Sequence, residues 1–174
     1  MDVPAGRVVC RCGAVVPDIP EMRTDHLYVD AVPGCRGAYM DLMALELADA
    51  RLAEVRMLAV DAYMAQHPGV LGRKAAQSVW VHLVGICLAL EFGLDGFATA
   101  GAKMAVAAPG VRFEWLEPPA SLGSLTVLDV LAVKAPTEHA PAVRRWLEAV
   151  WAAWSSAQDV IRERARKVDG AGRR

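Results

Sequence analysis

The sequence predicts an all-α fold, a compact helical bundle preceded by a loop-rich N-terminal arm. Three observations carry that prediction. From Arg36 onward apolar residues recur at steps of three and four, whereas the first 35 residues show turn residues and no helical period. The chain has 174 residues of which 55% are hydrophobic, enough for one sizeable core and within the range of a single domain. No repeat, low-complexity tract or linker divides it. Residues 1–174 are therefore expected to form one domain, with a loop-rich arm over 1–35, a helical core over 36–168 and a flexible tail over 169–174.

Within the arm only Arg7-Val8-Val9-Cys10 and His26-Leu27-Tyr28-Val29 read as short extended pieces. The first helix runs from Arg36 to Asp49, with Tyr39, Leu42, Met43, Leu45 and Leu47 on a broad apolar face. A second follows with Leu52, Val55, Leu58, Ala59, Ala62 and Tyr63, and ends at His67-Pro68-Gly69 because Pro68 biases His67 out of the helical region. The third, about Lys74 to Phe92, carries Val79, Leu83, Ile86 and Leu90 as a core stripe with Trp80 and Cys87 beside it. A weaker helix follows Gly93-Leu94-Asp95-Gly96 to about Ala107. Pro109 to Ser124 reads as a long loop, which in a compact domain is either functional or well packed; Trp115 and Leu116 favour packing. Thr126 caps a short helix over Val127 to Val133, with Asp129 favourable to the dipole. The final helix, from about Thr137 or Ala140 to Lys167, places Val143, Trp146, Leu147, Val150, Trp151, Trp154 and Ile161 on one stripe, read as core.

Charge narrows the function classes. Nineteen basic residues against 20 acidic ones give a formal charge of −1, so no global field attracts nucleic acid or an anionic membrane. The basic stretch Arg162 to Lys167 reads as a solvated helix end. Val79 to Leu90, the longest apolar stretch, contains His82 and falls short of the roughly 20 residues of a membrane span. The N-terminus lacks the pattern of a signal peptide, so a cytoplasmic location is expected, and with it reduced cysteines.

The chemistry-bearing residues are Cys10-Arg11-Cys12-Gly13, Pro33-Gly34-Cys35, His67 and His82. Zn²⁺ favours N and S ligands, and a cysteine beside Gly or Pro-Gly suits a tight turn around a metal. Of the first pair Cys12 is favoured, because Gly13 follows it; Cys10, one residue away, lacks the usual two-residue spacing. His67 and His82 come from neighbouring helices across a short connection. A Cys12, Cys35, His67 and His82 set, with Cys10 as the further candidate, would tie the arm to the bundle. Cys87 reads as a small buried hydrophobe. Asp61 and Glu91 are weak candidates for a general base or a partner to a metal-bound histidine. No nucleophile elbow or phosphate-cradling loop is present. His26 and His139 read as surface residues.

Over most of its length the chain resembles a bacterial family catalogued as a domain of unknown function. The resemblance runs through Cys12-Gly13-Ala14, Pro33-Gly34-Cys35, Val60-Asp61-Ala62-Tyr63, Gln66-His67-Pro68-Gly69, Gln77-Ser78-Val79, Val81-His82-Leu83 and Trp115-Leu116-Glu117-Pro118-Pro119. It implies a shared fold and recurring motif residues and brings no activity. The family's leading cysteine pair is spaced by two residues; Cys12 matches its second member, while Val9 occupies the first position and Cys10 is displaced by one.

Three functions are compatible with these residues. The leading one is a zinc-binding helical protein whose metal site joins the arm to the helices. The second is a metalloenzyme with an open zinc coordination position, an activated water and a small-molecule substrate. The third is a protein-interaction module using the Trp-rich final helix, which exposure of Trp146, Trp151 and Trp154 would favour.

Overall fold

A computed structural model, describing residues 3–19, 28–133 and 135–172, shows a helical fold with one small hairpin. Strands β1 (Arg7–Val9) and β2 (Val15–Pro17) pair antiparallel, with Val8 opposite Val16. The helices are α1 (Pro33–Ala48), α2 (Ala53–Gln66), α3 (Arg73–Glu91), α4 (Gly96–Val106), α5 (Val127–Leu131), α6 (Pro136–Ala153) and α7 (Gln158–Gly172).

Several boundaries differ from the sequence reading for local reasons. α1 starts at Pro33, since proline at the first helical position gives up an N–H that has no partner there anyway. Cys35 therefore belongs to the first turn of α1 rather than to the arm. Between α1 and α2 a 3₁₀ turn over Ala50–Leu52 is capped by Asp49, whose carboxylate accepts from the Arg51 N–H at 2.9 Å. The expected extended piece at Arg7 forms β1; its partner β2 gave no clear signal in the sequence. His26 and Leu27 lie outside the described residues, while Val29 makes an isolated bridge to Pro68. The final helix is two: α6 ends at Ala153 and a 3₁₀ turn over Ser155–Ala157 leads into α7. α7 continues to Gly172, so residues 169–172 extend the helix. Asp95 caps α4, and Thr126 with Asp129 forms a full capping box on α5.

Helices α2 and α3 form the centre. α2 packs against α1, α3, α4 and α6, and α3 against α2, α4, α6 and α7, while α5 bridges α1 and α6. The aliphatic stripe of α3 and the tryptophans of α6 meet in this core, where Leu83, Ile86, Trp146 and Trp154 are completely buried. Trp151 is 8% exposed. Each indole N–H finds an acceptor: Trp146 donates to Gln66 Oε1 at 3.0 Å, Trp151 to Glu91 Oε1 at 2.9 Å and Trp154 to the Ala65 carbonyl at 3.1 Å. The tryptophan stripe is thus interior, as its helical period predicts.

Gln66 links three segments. Its amide NH₂ donates to the carbonyls of Leu122 (3.0 Å) and Leu125 (2.6 Å), while its oxygen accepts from Trp146. This anchors the end of the long loop against α2 and α6. His139, expected at the surface, is buried and its Nε2 lies 2.8 Å from Glu46 Oε1, joining α6 to α1. Burial raises the Glu46 pKa, and the His139 contact opposes that rise.

Candidate metal centre

The hairpin, α1 and the end of α2 converge on four buried side chains: Cys10, Cys12, Cys35 and His67. The turn that delivers the first two is fixed by its backbone. The Gly13 N–H donates to the Cys10 carbonyl at 2.8 Å, the Cys10 N–H donates to the Ala14 carbonyl at 2.8 Å, and Gly13 adopts φ +92°. Few other residues enter that left-handed region without cost. With the chain closed this way, Cys10 and Cys12 both point inward, each 2% exposed. A one-residue spacing is therefore sufficient at a hairpin end, and Cys10 joins the group.

Cys35 arrives from the other side. Its helix approaches β2 so closely that a Cβ on Gly34 would lie 2.2 Å from the Pro17 carbonyl oxygen. We expect Gly34→Ala to push hairpin and helix apart and to cost about 1–3 kcal/mol, the usual range for overpacking. Denaturant unfolding measures the loss, and an unchanged midpoint would show that the contact is not needed.

His67 closes the group at the C-terminal end of α2. Its Nδ1–H donates to the Tyr63 carbonyl at 2.7 Å, which leaves Nε2 as the free lone pair, 3.4 Å from Cys35 Sγ. This is the way a metal-binding imidazole is oriented: one ring nitrogen held by an acceptor, the other directed at the metal. The ring also packs on Tyr63 at 4.1 Å, and Tyr63 stacks on Tyr39 at 3.9 Å. The Asp30 N–H donates to the His67 carbonyl at 3.3 Å, so the chain leading into α1 is fastened to the same helix end.

The distances suit tetrahedral coordination. Cys12 Sγ and Cys35 Sγ lie 3.8 Å apart, and all four ligand atoms fall within 4.8 Å of one another. Zn–S and Zn–N lengths of about 2.3 and 2.0–2.1 Å place tetrahedral S···S and S···N edges near about 3.8 and 3.6 Å. A disulfide requires about 2.05 Å, and all four cysteines of the chain are free.

The four groups shift one another's protonation. Hydrogen bonds from Cys12 and Cys35 push the Cys10 thiol far down, toward thiolate. Hydrogen bonds to Cys10 and Cys12, then burial, push Cys35 up. Burial opposes a charge on His67, but its contacts with Cys10 and Cys12 outweigh that and raise it to about 9. Burial and the neighbouring Cys35 raise the Tyr63 hydroxyl, which has no hydrogen-bond partner among the described residues. The arrangement favours a Cys10 thiolate beside a charged His67 ring.

His82 belongs elsewhere. Its Nδ1–H donates to Asp61 Oδ1 at 2.7 Å, and Lys103 Nζ reaches the same oxygen at 2.5 Å. Asp61 lies six residues before His67 along α2, about 9 Å of helix rise. His82 on α3 and Lys103 on α4 meet α2 at Asp61, and His82 is not among the clustered ligands. Asp61 is completely buried and serves this trio of α2, α3 and α4. Gly85 makes room for it, since a Cβ there would stand 2.4 Å from Asp61 Oδ2. Glu91 ends α3 at its other extremity from the cluster, receiving hydrogen bonds from Trp151 and from Arg162 at 2.8 Å. The Arg162 guanidinium holds its carboxyl below the usual range. Neither acid borders the Cys/His group. Cys87 is buried in α3, as expected of a small hydrophobe.

No helix among the described residues is long and apolar enough to cross a membrane. No curated protein and no solved structure matches the chain. A family model does match, over residues 7–155, a span that includes the hairpin, all four clustered ligands and α1 to α6. The chain therefore belongs to DUF5946, a family of unknown function.

Proposed function

We propose that this is a zinc-binding helical protein in which Cys10, Cys12, Cys35 and His67 form a structural Cys₃His site. The observation that carries the reading is the combination of tetrahedral spacing with a His67 ring already oriented through Nδ1. Thiolate and imidazole donors suit zinc over the hard, oxygen-preferring cations. Four protein donors, none more than 2% exposed, complete a tetrahedral shell and leave no position for a reacting water, which favours a structural over a hydrolytic role.

The purpose of such a site follows from what it joins. The hairpin has three-residue strands, too short to hold itself against a core, and two-stranded ribbons are marginal alone. A metal would fasten it to the first turn of α1 and the last turn of α2, making metal binding part of folding. Elemental analysis of the purified protein should give one zinc per chain. Replacing it with cobalt(II) should produce the thiolate charge-transfer absorption and the intense visible bands of a tetrahedral site. Weak octahedral cobalt bands, or substoichiometric metal after growth with zinc, would reject this site.

A further inference from the structure

The long loop after α4 forms more than core packing. Between its residues 110–115 and the start of α3 lies a cleft of about 640 Å³, lined by Leu71, Arg73, Val111, Arg112, Phe113 and Trp115. That volume suits a small organic ligand. Its character is unusual for a chain of net charge −1. Two arginines border it and no acidic residue lines it. Among the described residues neither Arg73 nor Arg112 has an ion-pair or hydrogen-bond partner, whereas Arg51, Arg144 and Arg162 all have one.

The apolar wall is held in place. Trp115 donates through Nε1 to Glu117 Oε2 at 3.1 Å. The adjacent Glu114 carbonyl accepts from Trp80 Nε1 at 2.8 Å, tying the loop to α3, and the Trp80 and Phe113 rings meet at 6.3 Å. A wall fixed in advance loses little freedom when a ligand arrives.

We infer that this cleft binds a small organic anion with a flat apolar body. Its carboxylate, phosphate or sulfonate group would be taken by the Arg73 and Arg112 guanidiniums, whose planar forks match such oxyanions. Its flat body would lie against Trp115 and Phe113. The inference is independent of the metal centre, which none of these residues enters.

The test uses the full chain with 8-anilinonaphthalene-1-sulfonate as the probe and N-phenyl-1-naphthylamine as its uncharged counterpart. The sulfonate should bind saturably at one per chain, and at least about tenfold more tightly than the neutral dye. Arg73→Gln combined with Arg112→Gln should weaken the sulfonate by at least about tenfold while leaving the neutral dye unchanged. Trp115→Leu should weaken both dyes. Circular dichroism, melting temperature and zinc content, all expected to match the parent protein, establish that these surface variants are folded. Equal affinity for the two dyes, full sulfonate affinity in the double arginine variant, or no saturable binding would each overturn the assignment.

Discussion

Replacing Cys35 by Ser is expected to abolish the proposed stoichiometric zinc binding and to lower stability, whereas His82→Ala should still give one zinc per chain. The contrast is expected because Cys35 Sγ stands 3.8 Å from Cys12 Sγ and 3.4 Å from His67 Nε2, while His82 is engaged with Asp61. A serine hydroxyl is a poor zinc ligand and would leave a buried polar group among the remaining donors. The loss of stability follows from linkage: a metal bound only by the folded state contributes about 4 kcal/mol when free zinc exceeds its Kd by a thousandfold. Metal content after desalting, together with melting curves with and without a chelator, measures both effects. The parent protein should melt earlier when chelated, and the Cys35→Ser protein should not respond. Full zinc in Cys35→Ser, or its loss from a folded His82→Ala protein, would show that the ligand set is wrong. Cys10→Ser should behave as Cys35→Ser does.

Asp61→Ala is expected to be the most damaging single change away from the metal, costing about 3–5 kcal/mol, the usual result of removing one partner from a buried ion pair. Asp61 is completely buried and its Oδ1 receives both His82 and Lys103, whose side chains are 14% and 12% exposed. Without the carboxylate a largely buried ammonium has no counter-charge, and three helices lose their common tie. Asp61→Asn should fall between the parent and the alanine variant, since its amide oxygen still accepts one hydrogen bond. Urea unfolding gives the difference, and metal analysis should show zinc retained after refolding to the native state. A loss below about 1 kcal/mol would mean the trio contributes little. The triple variant with Asp61→Leu, His82→Phe and Lys103→Met should recover much of the stability, because a buried ionic group is replaceable by well-packed apolar residues.

These two expectations separate residues that the sequence had grouped together. His82 lies within the apolar stretch of α3, where a buried polar ring needs a partner. That need was real, and Asp61 meets it. Which α2 residue His82 meets depends on the register of α2 and α3, and that register sets it against Asp61, outside the Cys/His group. Cys10 illustrates the opposite case. Judged by spacing it fell outside the common pattern, yet Gly13 at φ +92° closes a turn in which residues one apart both face inward. The adjacent Gly pointed to that turn, and the missing information was β2, whose pairing with β1 sets the direction of both thiols.

The sequence by itself determined the helical class, the positions of most helices and the chemical kind of the site. These depend on local period, capping residues such as Asp95 and Thr126, and the occurrence of Cys and His beside turn residues. It also made the tryptophans of α6 core residues, because their stripe follows the helical repeat. Tertiary structure alone decided which donors meet and which acids they meet. Cys10, Cys12, Cys35 and His67 come from the hairpin, α1 and the end of α2, and Asp61, His82 and Lys103 from α2, α3 and α4. Their encounters are set by helix register and by the close approach at Gly34 and Gly85, distances between segments far apart in the chain that no local pattern encodes.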